Sequence, residues 1–136
     1  QLKTENCHFF CRDSLTFLEQ CKSKGVTYDL IICHAPAFFR REKGFFKIES
    51  DLENLIENCF KCLADRGELL LLTQSKSLFI DDIRKSILKV QSTLDIKGLE
   101  INCILPALDF ELPHEKVDLK SFLIRKNYTL ANFVST

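Results

Sequence analysis

His34, Pro36 and Phe38 stand on alternate positions directly after an apolar run, Tyr28-Asp29-Leu30-Ile31-Ile32-Cys33. An imidazole can accept a proton or bind a substrate, a proline fixes a turn, and a phenylalanine face can stack a flipped-out base without ionisable chemistry. The bland alternatives are a loop that lacks a catalytic acid and aromatic side chains, Phe38 and Phe39, that pack on the next helix. Just beyond, Arg40, Arg41, Lys43 and Lys47 interleave with Phe45 and Phe46. Cations mixed with aromatics can meet nucleic-acid phosphates and bases; a solvated loop diluted by Glu42 and Glu49 is the other reading. Cys59-x-x-Cys62 has the spacing of a zinc or redox pair, but it falls inside a helical apolar stripe and lacks a second pair. Packing is the better account of it, and no metal site is expected.

The elements that must position these residues can be read from periodicity. Cys7 to Arg12 reads as a short strand. Asp13 is an N-cap for a helix over Ser14 to Lys24, with Leu15, Leu18 and Cys21 on one face and Gly25 as a stop. Tyr28 to Cys33 and Leu69 to Thr73 are apolar without alternation, as in parallel strands covered on both faces. Between them Ser50 and Glu53 make a capping-box pattern. Leu52, Leu55, Ile56, Cys59, Phe60 and Leu63 then form a helical stripe ending at Gly67. Phe79 to Gln91 reads as a third helix through Ile80, Ile83 and Ile87. Leu99 to Leu105 and Leu119 to Arg125 read as an antiparallel pair, joined by a polar loop with Pro106, Pro113 and His114. The expected fold is α/β, one domain over residues 1–136, with a mostly parallel sheet and a C-terminal antiparallel hairpin. In such sheets ligands bind outside the carboxyl ends of the strands, here His34 to Phe38 and Thr73 to Lys76.

Composition narrows the classes further. At 136 residues, 46% hydrophobic and 28% charged, the chain can bury a core. Its 19 basic residues balance 19 acidic ones, so no global field marks a nucleic-acid or membrane binder, although a local patch would leave that sum unchanged. No apolar run reaches the ~20 residues of a membrane span. The seven cysteines are odd in number, and several lie in apolar stretches, which favours reduced thiols and a cytoplasmic location. Position 1 is Gln and the chain has no Met, so an upstream segment is expected.

In this order the elements resemble the C-terminal part of a class I S-adenosylmethionine-dependent methyltransferase, in particular the bacterial 23S ribosomal RNA large-subunit methyltransferases. The resemblance covers roughly residues 5 to 126. It rests on Phe9-Phe10-Cys11-Arg12-Asp13-Ser14, on Tyr28 to Phe38 set against an Asp-Pro-Pro-x-Phe loop, on Arg66-Gly67-Glu68-Leu69-Leu70-Leu71-Leu72-Thr73, and on Leu112-Pro113 with Leu119 to Arg125. It implies a partial Rossmann-like sheet with the N-terminal strands missing and S-adenosylmethionine as cofactor. It also implies Asp13 and Ser14 at the adenine, with His34, Pro36 and Phe38 beside the reacting base. Ribosomal RNA is the implied partner, contacted through Arg40, Arg41, Lys43 and Lys47.

Three departures accompany the resemblance. The Gly-rich cofactor loop and the ribose-binding acid are absent, for Gly25, Gly44, Gly67 and Gly98 form no G-x-G. The loop's Asp and first Pro are His34 and Ala35. Lys76 stands where cytosine-C5 enzymes carry a Cys nucleophile, which argues against that chemistry. Without the first two strands, Cys7 to Arg12 should be displaced, pair with a second copy through an open strand edge, or pair with the strand at Leu30. The isolated chain should bind the cofactor weakly or not at all and show no methyl transfer. The competing reading is a binding or structural domain that keeps the fold without catalysis.

Overall fold

A computed structural model describes residues 4–105 and 118–127. After a 3-10 turn at Thr4–Asn6 come α1 (Ser14–Ser23), β1 (Tyr28–Ala35), β2 (Phe38–Arg40), β3 (Phe45–Lys47), α2 (Ile48–Lys61), β4 (Leu63–Thr73), α3 (Ile80–Thr93), β5 (Leu99–Ile104) and β6 (Lys120–Lys126). The main sheet has the order β1-β4-β6-β5, and β2 and β3 form a separate two-stranded ribbon. β1 and β4 are parallel, while β6 runs antiparallel to both β4 and β5. Three of the four strands therefore share a direction, as expected of a mostly parallel sheet closed by a hairpin. Pro106, Leu112, Pro113 and His114 lie outside the described residues. No described helix is long and apolar enough to cross a membrane.

The core lies on one face of the sheet. Leu69, Leu71, Phe122 and Ile124 are buried there. They meet the apolar stripe of α2 (Leu52, Leu55, Ile56, Cys59, Phe60) and that of α3 (Ile83, Ile87, Val90). The Arg84 guanidinium of α3 sits 5.8 Å from the Phe122 ring centroid. α1 docks through Leu15, Leu18 and Cys21, with Cys62 Sγ donating to the Leu18 carbonyl at 3.2 Å. All seven cysteines are free thiols.

Five sequence expectations need correction. Residues 7–12 form no strand: Phe9 is 91% exposed, and Phe10 folds back onto Phe17 with ring centroids 5.2 Å apart. That segment lies outside the sheet as irregular chain. Next, α2 begins two residues before Ser50. Lys47 is its N-cap, and the Asp51 carboxylate accepts the Lys47 amide at 2.7 Å, so Ser50 and Glu53 form no capping box. Ser50 instead donates to the Lys47 carbonyl, and Glu53 pairs with Lys89.

Third, α2 ends at Lys61 rather than at Gly67, and Leu63 already belongs to β4. The ladder jumps from Tyr28↔Leu63 to Leu30↔Glu68, so β4 bulges between these pairs. Arg66 takes φ +62 inside the bulge. A Cβ on Gly67 would meet Leu63 Cγ at 2.7 Å and the Ala64 carbonyl at 2.8 Å, which leaves room only for glycine. Fourth, β1 and β4 are not covered equally on both faces: in β1 Leu30 is 53% and Ile32 64% exposed, and in β4 the buried Leu69 and Leu71 alternate with half-buried Leu70 and Leu72. Last, β1 continues through His34 to Ala35, which pair with Leu72 and Thr73. His34 is thus a strand residue, held in a ladder, not the first residue of a loop.

Candidate functional site

The carboxyl ends of β1 and β4 lie side by side, because Ala35 pairs with Thr73. β1 leads through the exposed Pro36 into β2, and the Ile48 amide at the start of α2 bonds the Ala37 carbonyl at 3.0 Å. The ribbon β2–β3 is thereby fixed over this edge of the sheet. Its turn closes with the Arg41 amide on the Gly44 carbonyl at 3.0 Å, and Gly44 has φ +86, a left-handed conformation that suits glycine.

Ribbon register divides its residues between two faces. Phe38 pairs with Lys47, Phe39 with Phe46, and Arg40 with Phe45. Phe39 and Phe46 stack inward with centroids 5.1 Å apart, and Phe46 is only 1% exposed. Phe38 and Phe45 stack outward at 5.4 Å. The basic aromatic stretch is therefore an ordered hairpin and not a solvated loop. Two tripeptides, Phe-Phe-Arg and Phe-Phe-Lys, repeated on either side of a turn containing Gly44, were the sequence signal for it.

Asp13 sits at the other wall of this edge. Its carboxylate caps α1 by accepting the Thr16 amide at 3.1 Å and the Thr16 hydroxyl at 2.9 Å. The same carboxylate takes a two-point contact from the Arg41 guanidinium, at 3.0 Å from Nε and 2.6 Å from Nη2. Burial raises the Asp13 carboxyl, but the bonds from Arg41 and Thr16 together outweigh it and hold the group below its ordinary value. Arg41 is pushed up, chiefly by the bond to Asp13. Sequence reading found both residues but not their union, since residues 28 positions apart meet only through the hairpin.

The exit of β4 is tied down. Ser75 is buried, its amide bonds Thr73 Oγ1 at 3.3 Å, and its carbonyl accepts Lys120 Nζ at 2.6 Å. Ser77 donates to Glu49 of α2, and this bond chiefly holds the Glu49 carboxyl below its ordinary value. Thr73 to Ser75 thus act as a wall of the edge, with Lys76 pointing to solvent. On the packed face, the Cys33 and Cys59 thiols interact: the bond to Cys59 lowers Cys33, and the bond to Cys33 together with burial raises Cys59. Among the described residues no cluster of three His, Cys, Asp or Glu could hold a metal.

The arrangement offers an acceptor and helix amides at one wall and an aromatic, cationic ribbon at the other. Asp13 keeps a lone pair on Oδ1 beyond its Arg41 bond, and the first turn of a helix leaves amides such as those of Ser14 and Leu15 without intrahelical partners. An acceptor beside free amides can bind a group that carries both a donor and an acceptor.

No protein-family pattern matches the chain, and no curated protein matches it. Solved structures do. One is SMU.776, described as a methyltransferase and solved with SAH: TM-score 0.68 and 20% identity, over 83% of this chain and 30% of that one. The chain carries part of a class I methyltransferase fold. A SAM-dependent methyltransferase from Streptococcus mutans gives 0.64 at 20% identity over 83% and 29%, and one from Agrobacterium tumefaciens gives 0.61 at 20% over 87% and 39%. At this identity the likeness establishes the fold alone, and the chain spans less than two fifths of each of these proteins.

Proposed function

We propose that this chain forms the adenine-facing and target-facing walls of an S-adenosylmethionine-dependent methyltransferase that modifies a base in ribosomal RNA. The observation that carries the reading is the 2.6 Å ion pair of Asp13 with Arg41. It sets the candidate adenine acceptor beside the candidate RNA-facing hairpin, at the strand ends where open α/β sheets bind ligands. One of the solved structures sharing the fold holds SAH.

When bound, S-adenosylmethionine supplies an electrophilic methyl group for in-line transfer to a base atom. In this reading the residues of the chain position and desolvate the reactants. Asp13 accepts from the adenine amino group, and the Ser14 or Leu15 amide donates to a ring nitrogen. Pro36 sets the turn that leads out of β1, and Phe38 gives the target base a face on which to stack. His34, exposed near the end of β1, accepts a proton from the base or orients it. Arg40, Lys43 and Lys47 draw phosphates to the same edge.

A second reading, a non-catalytic domain on the same fold, is favoured by His34 and Ala35, which stand where the resembling family's catalytic loop carries Asp and Pro. Calorimetric titration with S-adenosylhomocysteine separates the two. The 136-residue chain, lacking a Gly-x-Gly loop, should bind weakly and transfer no methyl group. A form extended upstream to include such a loop should bind tightly, and Asp13→Ala should weaken it by roughly tenfold to a hundredfold, the loss of a charge-assisted hydrogen bond. Tight binding by the 136-residue chain would show the site to be misplaced. No binding by the extended form would leave the non-catalytic reading.

A further inference from the structure

We propose that the outer face of the β2–β3 ribbon is a stacking platform for single-stranded nucleic acid. Phe38 and Phe45 take bases, and Arg40 and Lys47 take the flanking phosphates. The inference deepens the target-binding half of the reading above and rests on it for location, but the binding itself needs no cofactor.

Register places these four side chains on one face, with Arg40 opposite Phe45 and Lys47 opposite Phe38. The two rings stack on each other at 5.4 Å with an interplanar angle of 23°, yet Phe38 remains 53% and Phe45 59% exposed. The hairpin needs neither ring for its own core, because the inner pair, Phe39 and Phe46, supplies that. Ring and cation alternate across the ribbon, so each aromatic has a positive charge for a neighbour. Protein interfaces deplete lysine and bury their aromatics in uncharged centres. A strand of unstacked bases offers both a π-face for each ring and a phosphate for each cation. A duplex hides its base faces and would engage the cations alone.

Glu42 and Lys43, both exposed, lie in the turn between the two strands and offset one another in charge. Arg41 is spent on Asp13 and takes no part. The Asp51 carboxylate is engaged by the Lys47 backbone amide, and Glu49, which feels the Lys47 charge, is held by Ser77. The ammonium of Lys47 and the guanidinium of Arg40 are the cations that the register sets opposite the two rings.

Fluorescence anisotropy on the 136-residue chain tests the proposal, using labelled single strands of about 12 nucleotides, as RNA and as DNA, and a duplex of the same sequence. Single strands should bind more tightly than the duplex, and the RNA and DNA arms reveal whether the sugar is read. Phe45→Ala and Phe38→Ala should each weaken binding roughly 5- to 100-fold, whereas Phe45→Tyr should retain it. The double variant Arg40→Ala with Lys47→Ala should flatten the dependence of affinity on salt. Lys85→Ala, a cation on α3, should change nothing. Both rings are exposed, and circular dichroism should show wild-type folding in each variant. The proposal is overturned if Phe45→Ala binds as wild type does, if duplex and single strand bind alike, or if no strand binds at low salt. Titration of the same variants with S-adenosylhomocysteine should be unaffected, so failure of the cofactor reading leaves a measured platform standing, and the reverse.

Discussion

The two faces of the main sheet are built from the same kind of residue and live in different surroundings. On one, Ile31, Cys33, Leu69, Leu71, Phe122 and Ile124 meet α2 and α3 and lose most or all of their contact with water. On the other, Leu30 and Ile32 are exposed and Leu70, Leu72 and Leu123 are only half-buried. The open face turns polar at one end, where Arg125 bridges Glu68 at 2.5 Å and Glu100 at 3.7 Å. The β2–β3 ribbon repeats this division on a smaller scale, with Phe39 and Phe46 inside and Phe38 and Phe45 outside. Stability resides on the packed sides, and the candidate binding groups project from the open ones. An apolar residue in a strand is thus equally a core residue or a contact surface, and its cover decides which.

The largest effect should come from the packed face. Phe122→Ala removes a fully buried ring from between the sheet and α3, and urea unfolding should show a loss of about 3–5 kcal/mol. A smaller one lies at the seam between helix and sheet. Lys126 Nζ bonds the Phe60 carbonyl at 2.8 Å and the Leu63 carbonyl at 2.9 Å, just where α2 gives way to β4. Burial lowers the Lys126 ammonium, yet it serves as the donor to both carbonyls. Lys126→Met should cost about 1–3 kcal/mol by the same measurement, because both acceptors lose their donor.

Asp13 comes next and carries a pH signature. Asp13→Ala should lose about 1 kcal/mol through the helix cap. Because its folded value lies below the ordinary 3.8, the carboxylate binds fewer protons in the folded chain than in the unfolded one. Its contribution is therefore complete above that ordinary value and is lost as pH falls through the folded value. Acid titration of stability should be shallower below about pH 4 in Asp13→Asn than in the wild type. The smallest effect should come from the open face: Ile32→Ser should change stability by no more than about 0.5 kcal/mol. A larger loss, or a change in mass by light scattering, would mean that the face is covered in solution, and the contrast between the faces would collapse.

Much of the fold was legible because periodicity reports local structure directly. The cap at Asp13, the stripe of α2 and the antiparallel pair near the C-terminus all follow from patterns within one or two turns or strands. What failed depended on distant partners. Cys7 to Arg12 has the composition of a strand but no ladder to join, and the Leu63-to-Gly67 segment looks helical until the bulge against β1 is known. The capping box at Ser50 lost to Asp51, whose carboxylate reaches the amide of Lys47, three residues before Ser50 and the last residue of the ribbon. At the candidate site the residues were identifiable by type, while their grouping was not. Asp13 finds Arg41 only because the hairpin folds over the sheet edge, and Arg41 is thereby committed to an ion pair within the chain. Phe38 gains its partner Phe45 by cross-strand register, which no count of basic residues reveals.

The central claim, that the wall at Asp13 and Ser14 receives the adenine of S-adenosylmethionine, is tested most directly by amide NMR. Titrating the 15N-labelled chain with S-adenosylhomocysteine should shift the Ser14, Leu15 and Thr16 amides, with weak saturation, and should perturb Arg41 through its pair with Asp13. Asp13→Ala should abolish those shifts while the rest of the spectrum is preserved. Shifts centred elsewhere, or none at the first turn of α1 at millimolar ligand, would contradict the account.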